Sequence, residues 1–180
     1  MPENALLAML RHTHPGDPLD NAEKATTIGL RHLARRHRVL TEEIEETTDE
    51  LRALVTSVAP ALLASRGVGV VTGAQLLITA GDNPHRITSE AAFAALCGTS
   101  PLPASSGQTT RHRLNRGGDR RANCAPHQIV LVRMTCDPRT KDYVTKRRAE
   151  GKSARETIRC LKRALARRLT LQDVAAHFGL

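Results

Sequence analysis

Between Leu30 and Val58 the sequence alternates steps of three and four. Leu30, Leu33, His37, Leu40, Ile44, Thr47, Leu51, Leu54 and Val58 fall on the a and d positions of about four heptads. Neither Pro nor Gly interrupts residues 30–59. A chain with this spacing must form one long helix and find cover for one narrow stripe of it. We expect a coiled-coil arm over 20–59, capped at its start by Asp20 or Asn21. His37 and Thr47 are polar seam positions, which fix register at some cost in stability. Two arrangements cover the stripe. It pairs with another copy, making a homo-oligomer, or it lies on its own chain, where only the basic C-terminal helix offers a partner of similar length.

The remainder must supply the core, and 180 residues suit one domain with an extension. Hydrophobic residues make up 40% but aromatics only 2%: Tyr143, Phe93 and Phe178. The core is therefore aliphatic, and recognition of single strands by base stacking is disfavoured. The net charge of +9 calls for a polyanion, nucleic acid first and an anionic membrane surface second. The charge is uneven: residues 139–168 hold twelve Lys or Arg and three acids, whereas 41–50 hold six acids and no base. No apolar run is long enough to span a membrane, and the N-terminus lacks the pattern of a signal peptide. Cys97, Cys124, Cys136 and Cys160 form no CxxC pair, so no zinc site is expected. Reduced thiols and a cytoplasmic location follow.

These signals predict a mainly α fold: a long coiled-coil helix, then a helical domain containing a helix–hairpin–helix and a short β-hairpin element. We expect a lead-in over 1–19 with one short helix around "NALLAML", the arm over 20–59, a domain over 60–168 and a divergent tail over 169–180. Pro60 restarts the path. Gly67-Val68-Gly69 then sits between two apolar helices, placing the helix–hairpin–helix at 62–80. Such a turn presents backbone N–H groups at a helix N-terminus and can bind a phosphate without reading sequence. It can equally be a plain interhelical turn. Thr88 or Ser89 caps a short apolar helix that stops at Gly98. Thr110, His112 and Leu114 alternate as in a short strand pair, and Asn115 to Gly118 make a turn. Residues 119–136 return to helix, with Pro126 in the first turn or at a kink. Ser153 and Glu156 form a capping box. Ala154, Ile158, Leu161, Leu165 and Leu169 mark the buried stripe of the last helix, leaving Arg155, Arg159, Lys162, Arg163 and Arg167 off it as a candidate nucleic-acid face.

The stretch "PLPASSGQTTRHRLNRGGDRR" from Pro101 to Arg121 carries the chemistry. Ser105 and Ser106 follow a rigid Pro-x-Pro and precede Gly107. Arg111, Arg113, Arg116, Arg120 and Arg121 follow. Arginine is a poor base, but it holds a phosphate and stabilises the added charge of a pentacoordinate transition state. Serine with arginines points to attack on a DNA phosphodiester rather than to a protease-like triad. The quieter alternative is that the serines hydrogen-bond a turn and the arginines bind phosphate passively.

The span "GVGVVTGAQLLITAGDNPHRITSEAAFAALCGTSPLPASSGQTTRHRLNRGGDRRAN", together with "DPRTKDYVTKRRAEGKSARETIRCLKRALAR", resembles the C-terminal transposase domain of the bacterial insertion-sequence transposases described as bridge-RNA-guided serine recombinases. With the arm, the likeness covers roughly residues 20–168. It rests on the Gly-Val-Gly hairpin, a Cys-Gly followed by Pro-x-x-x-Ser-Gly, and an Arg-Gly-Gly-x-Arg turn. The resemblance implies that the serine before the glycine, Ser106, is the nucleophile. It also implies that the partners are donor and target DNA and a structured non-coding guide RNA. The family's N-terminal RuvC-like domain, with four acids that bind a divalent metal, has no counterpart here; no cofactor is expected in this chain. The sequence reads as the C-terminal piece of such a transposase, with an incomplete composite active site. The alternative is a non-catalytic, dimeric nucleic-acid-binding protein that uses Gly67, Gly69 and the basic helix without a covalent step.

Overall fold

The computed structural model describes residues 3–13, 22–81, 87, 89–104 and 112–169. Eight helices and two strands occur among them: α1 (Glu3–His12), α2 (Ala22–Val58), α3 (Pro60–Ala64), α4 (Val70–Gly81), α5 (Glu90–Leu96), β1 (Leu102–Pro103), β2 (His112–Arg113), α6 (Arg120–Cys136), α7 (Pro138–Ala149) and α8 (Ala154–Leu169). The expected mainly helical fold with a small strand pair is what forms. The chain divides into two compact units, Met1–Glu50 and Leu51–Leu180.

The first unit holds α1 and most of α2. Helix α2 runs unbroken for 37 residues, through Gly29 and with no Pro or further Gly to interrupt it. Arg38 and Glu42, four residues apart, exchange an ion pair at 2.8 Å along it. Most seam residues face outward, and Leu33 is 68% exposed. The expected cap residues Asp20 and Asn21 lie outside the described residues.

In the second unit α4 packs on α6, α6 on α7 and α8, and α5 on α8. The core is aliphatic around one ring, Phe93, with Leu62, Leu76, Ile129 and Val130 fully buried beside it. Ala122, Ala125, Pro126, Ile129 and Val130 form the buried stripe of α6. Of the two expectations for Pro126, a place in the first turn is not met. Pro126 is the seventh residue of α6, beyond the first turn, and the helix continues to Cys136. A proline there lacks the N–H that would reach back four residues. Its ring is buried in the core instead, which offsets the lost bond.

Several boundaries follow from local chemistry. Pro60 opens α3 at its first position, where the missing N–H costs nothing. Ser89 caps α5 by accepting from Ala92 N at 3.2 Å; Thr88 lies outside the described residues. Gly98, at φ +61°, ends α5 in the left-handed conformation that favours glycine. The capping box at α8 is complete: Ser153 N donates to Glu156 Oε2 at 2.9 Å and Glu156 N donates to Ser153 Oγ at 3.3 Å.

Candidate nucleic-acid interface

The two strands pair antiparallel, Leu102 with Arg113 and Pro103 with His112. This short ladder closes the segment that contains Ser105 and Ser106. Ser106, Ser105 and Arg111 themselves lie outside the described residues.

Two glycine turns meet at the end of α5. Asp119 N donates to Leu96 O at 2.7 Å, bringing the turn before α6 onto the end of α5. A Cβ on Gly118 would overlap the Gly98 backbone and stand 2.7 Å from Leu96 O. Gly98 in turn has Asn123 Nδ2 where its own Cβ would go, at 2.9 Å. The Cys-Gly and Arg-Gly-Gly elements are therefore two halves of one contact. Asp119 also caps α6, accepting from Ala122 N at 2.6 Å. Asn115 Oδ1 accepts from Gly117 N at 2.9 Å and shapes the turn between.

A polar chain holds this contact together. Lys162 Nζ donates to Asn123 Oδ1 at 2.6 Å, and Asn123 Nδ2 donates to Cys97 O at 2.6 Å. Lys162 is only 7% exposed, and burial holds its ammonium below the usual lysine range. Burial pushes the Cys97 thiol up to about 12, so it stays protonated at neutral pH. Sequence spacing put Lys162 on the exposed basic face of α8; in the fold its ammonium points inward. The buried line of α8 runs through Thr157, Lys162, Leu165 and Ala166, while Ala154 is exposed. The lysine stem packs like an apolar chain, which a hydrophobicity pattern does not register.

The remaining candidate cations differ in exposure. Arg113, Arg116, Arg120, Arg121 and Arg155 are exposed, and Arg159 and Arg163 are half-buried. Arg159 Nη2 reaches the His112 carbonyl at 3.4 Å, tying α8 to β2. An open groove at the α7–α8 turn is lined by Arg148, Lys152, Arg155 and Arg159. Arg148 and Lys152 were not singled out from the sequence; the charge run contained them, but only the turn gathers them with α8.

The Gly67–Gly69 turn serves a packing purpose. Gly67 adopts φ +81°, and a Cβ there would meet Arg133 Cγ at 2.9 Å. Arg133 Nε donates to Arg66 O at 2.6 Å, fastening the turn to α6. The Gly69 N–H donates to Thr72 Oγ1 at 3.0 Å, so this amide has a partner within the chain. Among the described residues no three His, Cys, Asp or Glu stand together in a way that would hold a metal ion. No helix of those residues is long and apolar enough to cross a membrane.

Comparison with known proteins finds relatives that match part of the chain. Over 106 residues the chain is 34% identical to the "Insertion element IS110 uncharacterized 43.6 kDa protein" of Streptomyces coelicolor, covering 58% of this chain and 26% of that protein. It is 31% identical, again over 106 residues, to the "Insertion element IS900 uncharacterized 42 kDa protein" of Mycobacterium paratuberculosis, covering 58% of this chain and 27% of that protein. The chain thus spans about a quarter of the length of these relatives. Residues 59–145, which include the glycine contact and both strands, match the model of the Transposase IS116/IS110/IS902 family, so in this region the chain is similar to insertion-sequence transposases.

Proposed function

We propose that this chain handles and exchanges DNA strands in the transposition of an insertion sequence, with Ser106 as nucleophile. The family match over 59–145 carries the reading. In the chemical step the Ser106 hydroxyl gives up its proton, and its oxygen bonds to a backbone phosphorus. The bond from phosphorus to the deoxyribose oxygen breaks, that oxygen leaves as a hydroxyl by taking up a proton in place of the one Ser106 released, and a phosphoserine link remains. Attack by a hydroxyl of the incoming strand reverses these bonds and frees the serine. Arg111, Arg113, Arg116, Arg120 and Arg121 hold the phosphate and counter the charge of the transition state. Arg155, Arg159 and Arg163 follow the backbone. The α2 seam joins two copies, and a structured RNA directs the choice of site. The exposure of Arg113, Arg116, Arg120 and Arg121 supports this reading, as does the ladder that closes the Ser106 segment.

A covalent-capture assay tests it. The chain is mixed with labelled element-end DNA, with and without structured RNA and a separately supplied metal-binding domain. A denaturant-resistant adduct that disappears in Ser106→Ala establishes the nucleophile. Salt-dependent DNA retention without an adduct, unchanged in Ser106→Ala, replaces the reading with a binding protein that forms no covalent link.

A further inference from the structure

We infer that α2 pairs antiparallel with α2 of a second copy, in a register that sets Leu30 against Leu54, Leu33 against Leu51, His37 against Thr47 and Leu40 against Ile44. This rests on the proposed arm and goes beyond it by giving its direction and alignment. The first observation is exposure: Leu33 is 68% exposed, and Ile44 and Leu54 are each 64% exposed, all on one heptad stripe of one helix. A row of large aliphatic side chains at this period is the surface a second helix covers.

Charge selects the direction. Residues 31–38 carry four arginines and no acid, and 42–50 carry six acids and no base. A parallel pair lays acids beside acids and arginines beside arginines. An antiparallel pair lays each run beside its opposite, which favours that orientation and disfavours the other.

Seam composition selects the register. Seam layers in an antiparallel coil join an a position to a d position. In the stated register the Leu30–Leu54 stretch is used in full, and the two polar seam residues, His37 and Thr47, share a layer. Sliding by one heptad one way puts Thr47 on Leu30 and His37 on Leu40 and sets Leu51 and Leu54 against Thr26 and Glu23; sliding the other way splits the polar pair, His37 on Leu54 and Thr47 on Ile44, and brings Glu43 beside Glu50. The stated register also brings Arg36 of one copy beside Glu50 of the other, twice across the dyad. Its cost is Glu43, which faces its own symmetry mate.

Paired cysteines read this directly, in a background carrying Cys124→Ser, Cys136→Ser and Cys160→Ser. On mild oxidation, Leu33→Cys mixed with a tagged Leu51→Cys protein should give a mixed disulfide dimer, and neither should crosslink alone. Two Leu33 positions in the antiparallel pair lie about 27 Å apart, far beyond disulfide reach. Self-crosslinking of Leu33→Cys overturns the direction while leaving the arm intact. Crosslinking of Leu33→Cys to Ile44→Cys in place of Leu51→Cys overturns the register. A monomer in sedimentation overturns both the arm and its direction. Charge reversal needs no cysteine: Arg36→Glu should weaken the dimer on the order of tenfold, and Arg36→Glu with Glu50→Arg should restore it. A dimer of unchanged affinity in Arg36→Glu overturns the antiparallel pairing.

Discussion

Lys162 donates to Asn123 Oδ1 at 2.6 Å, and no carboxylate is part of that contact. The ammonium is desolvated, which holds it below the usual lysine range. Removing either partner leaves the other buried with its hydrogen bond unmade. We expect Asn123→Ala to cost about 3–5 kcal/mol, because it leaves an uncompensated buried charge. Lys162→Met, which keeps the stem and removes the charge, should cost about 1–3 kcal/mol, for the amide oxygen alone. Lys162→Ala adds a cavity and should lie between them. Urea unfolding of the three variants checks the order. A Lys162→Met variant less stable than Asn123→Ala would show that the charge itself stabilises the fold.

The glycine contact makes an equally sharp comparison. Gly118→Ala places a methyl group on Gly98 backbone and the Leu96 carbonyl, and neither can swing aside. Gly117→Ala meets only Asn115 Oδ1 at 3.4 Å. Gly151 has open space around it but a φ of +78°, so Gly151→Ala should cost about 1 kcal/mol of backbone strain. Thermal unfolding should rank Gly118→Ala as by far the worst of the three. A mild Gly118→Ala would mean that the turn before α6 does not dock on the end of α5.

This contact also marks how far the sequence could be read. The Ser153–Glu156 box, the Ser89 cap, the Gly98 stop and the uninterrupted α2 were legible, because each depends on neighbours within four residues. The meeting of Gly98 with Gly118 was not, since two glycines twenty residues apart carry no mark of their pairing. Pro126 was assigned to a first turn or a kink because proline's local cost is plain, whereas the burial that offsets it is a tertiary effect. Lys162 was assigned to the nucleic-acid face for a similar reason. Arg133 was missed altogether, although the glycine at position 67 was the place to ask what lies close enough to need it.

Acid should weaken the start of α7. Asp137 caps that helix through Thr140 N at 3.1 Å and the Thr140 hydroxyl, with Arg66 at 3.7 Å. These bonds, the Thr140 hydroxyl foremost, hold the carboxyl below its ordinary value of 3.8. The unfolded chain therefore takes up the proton first as pH falls. The stability contributed by Asp137 is complete above its unfolded pKa and is lost as pH drops through the folded one. Asp137→Asn should be less stable than the parent at neutral pH, with a gap that closes in acid. Urea midpoints taken from about pH 6 downward check it; a gap that is constant with pH would remove the carboxylate's charge from the account.

Salt dependence separates the cations that face solvent from the one that does not. Each phosphate neutralised by a Lys or Arg releases counterions and adds about 0.9 to the slope of log affinity against log salt for duplex DNA. Arg155 is exposed at the open groove, so Arg155→Ala should lower that slope by about one contact while weakening all sequences alike. Arg159→Ala should do the same and also release β2, through the lost bond to the His112 carbonyl. Lys162→Met should leave the slope unchanged, because its ammonium is spent on Asn123 and is 7% exposed. Fluorescence anisotropy with one duplex across a salt series gives all three slopes. A Lys162→Met slope that falls as far as that of Arg155→Ala would mean that α8 turns its buried line toward DNA, and the internal role assigned to Lys162 would have to be given up.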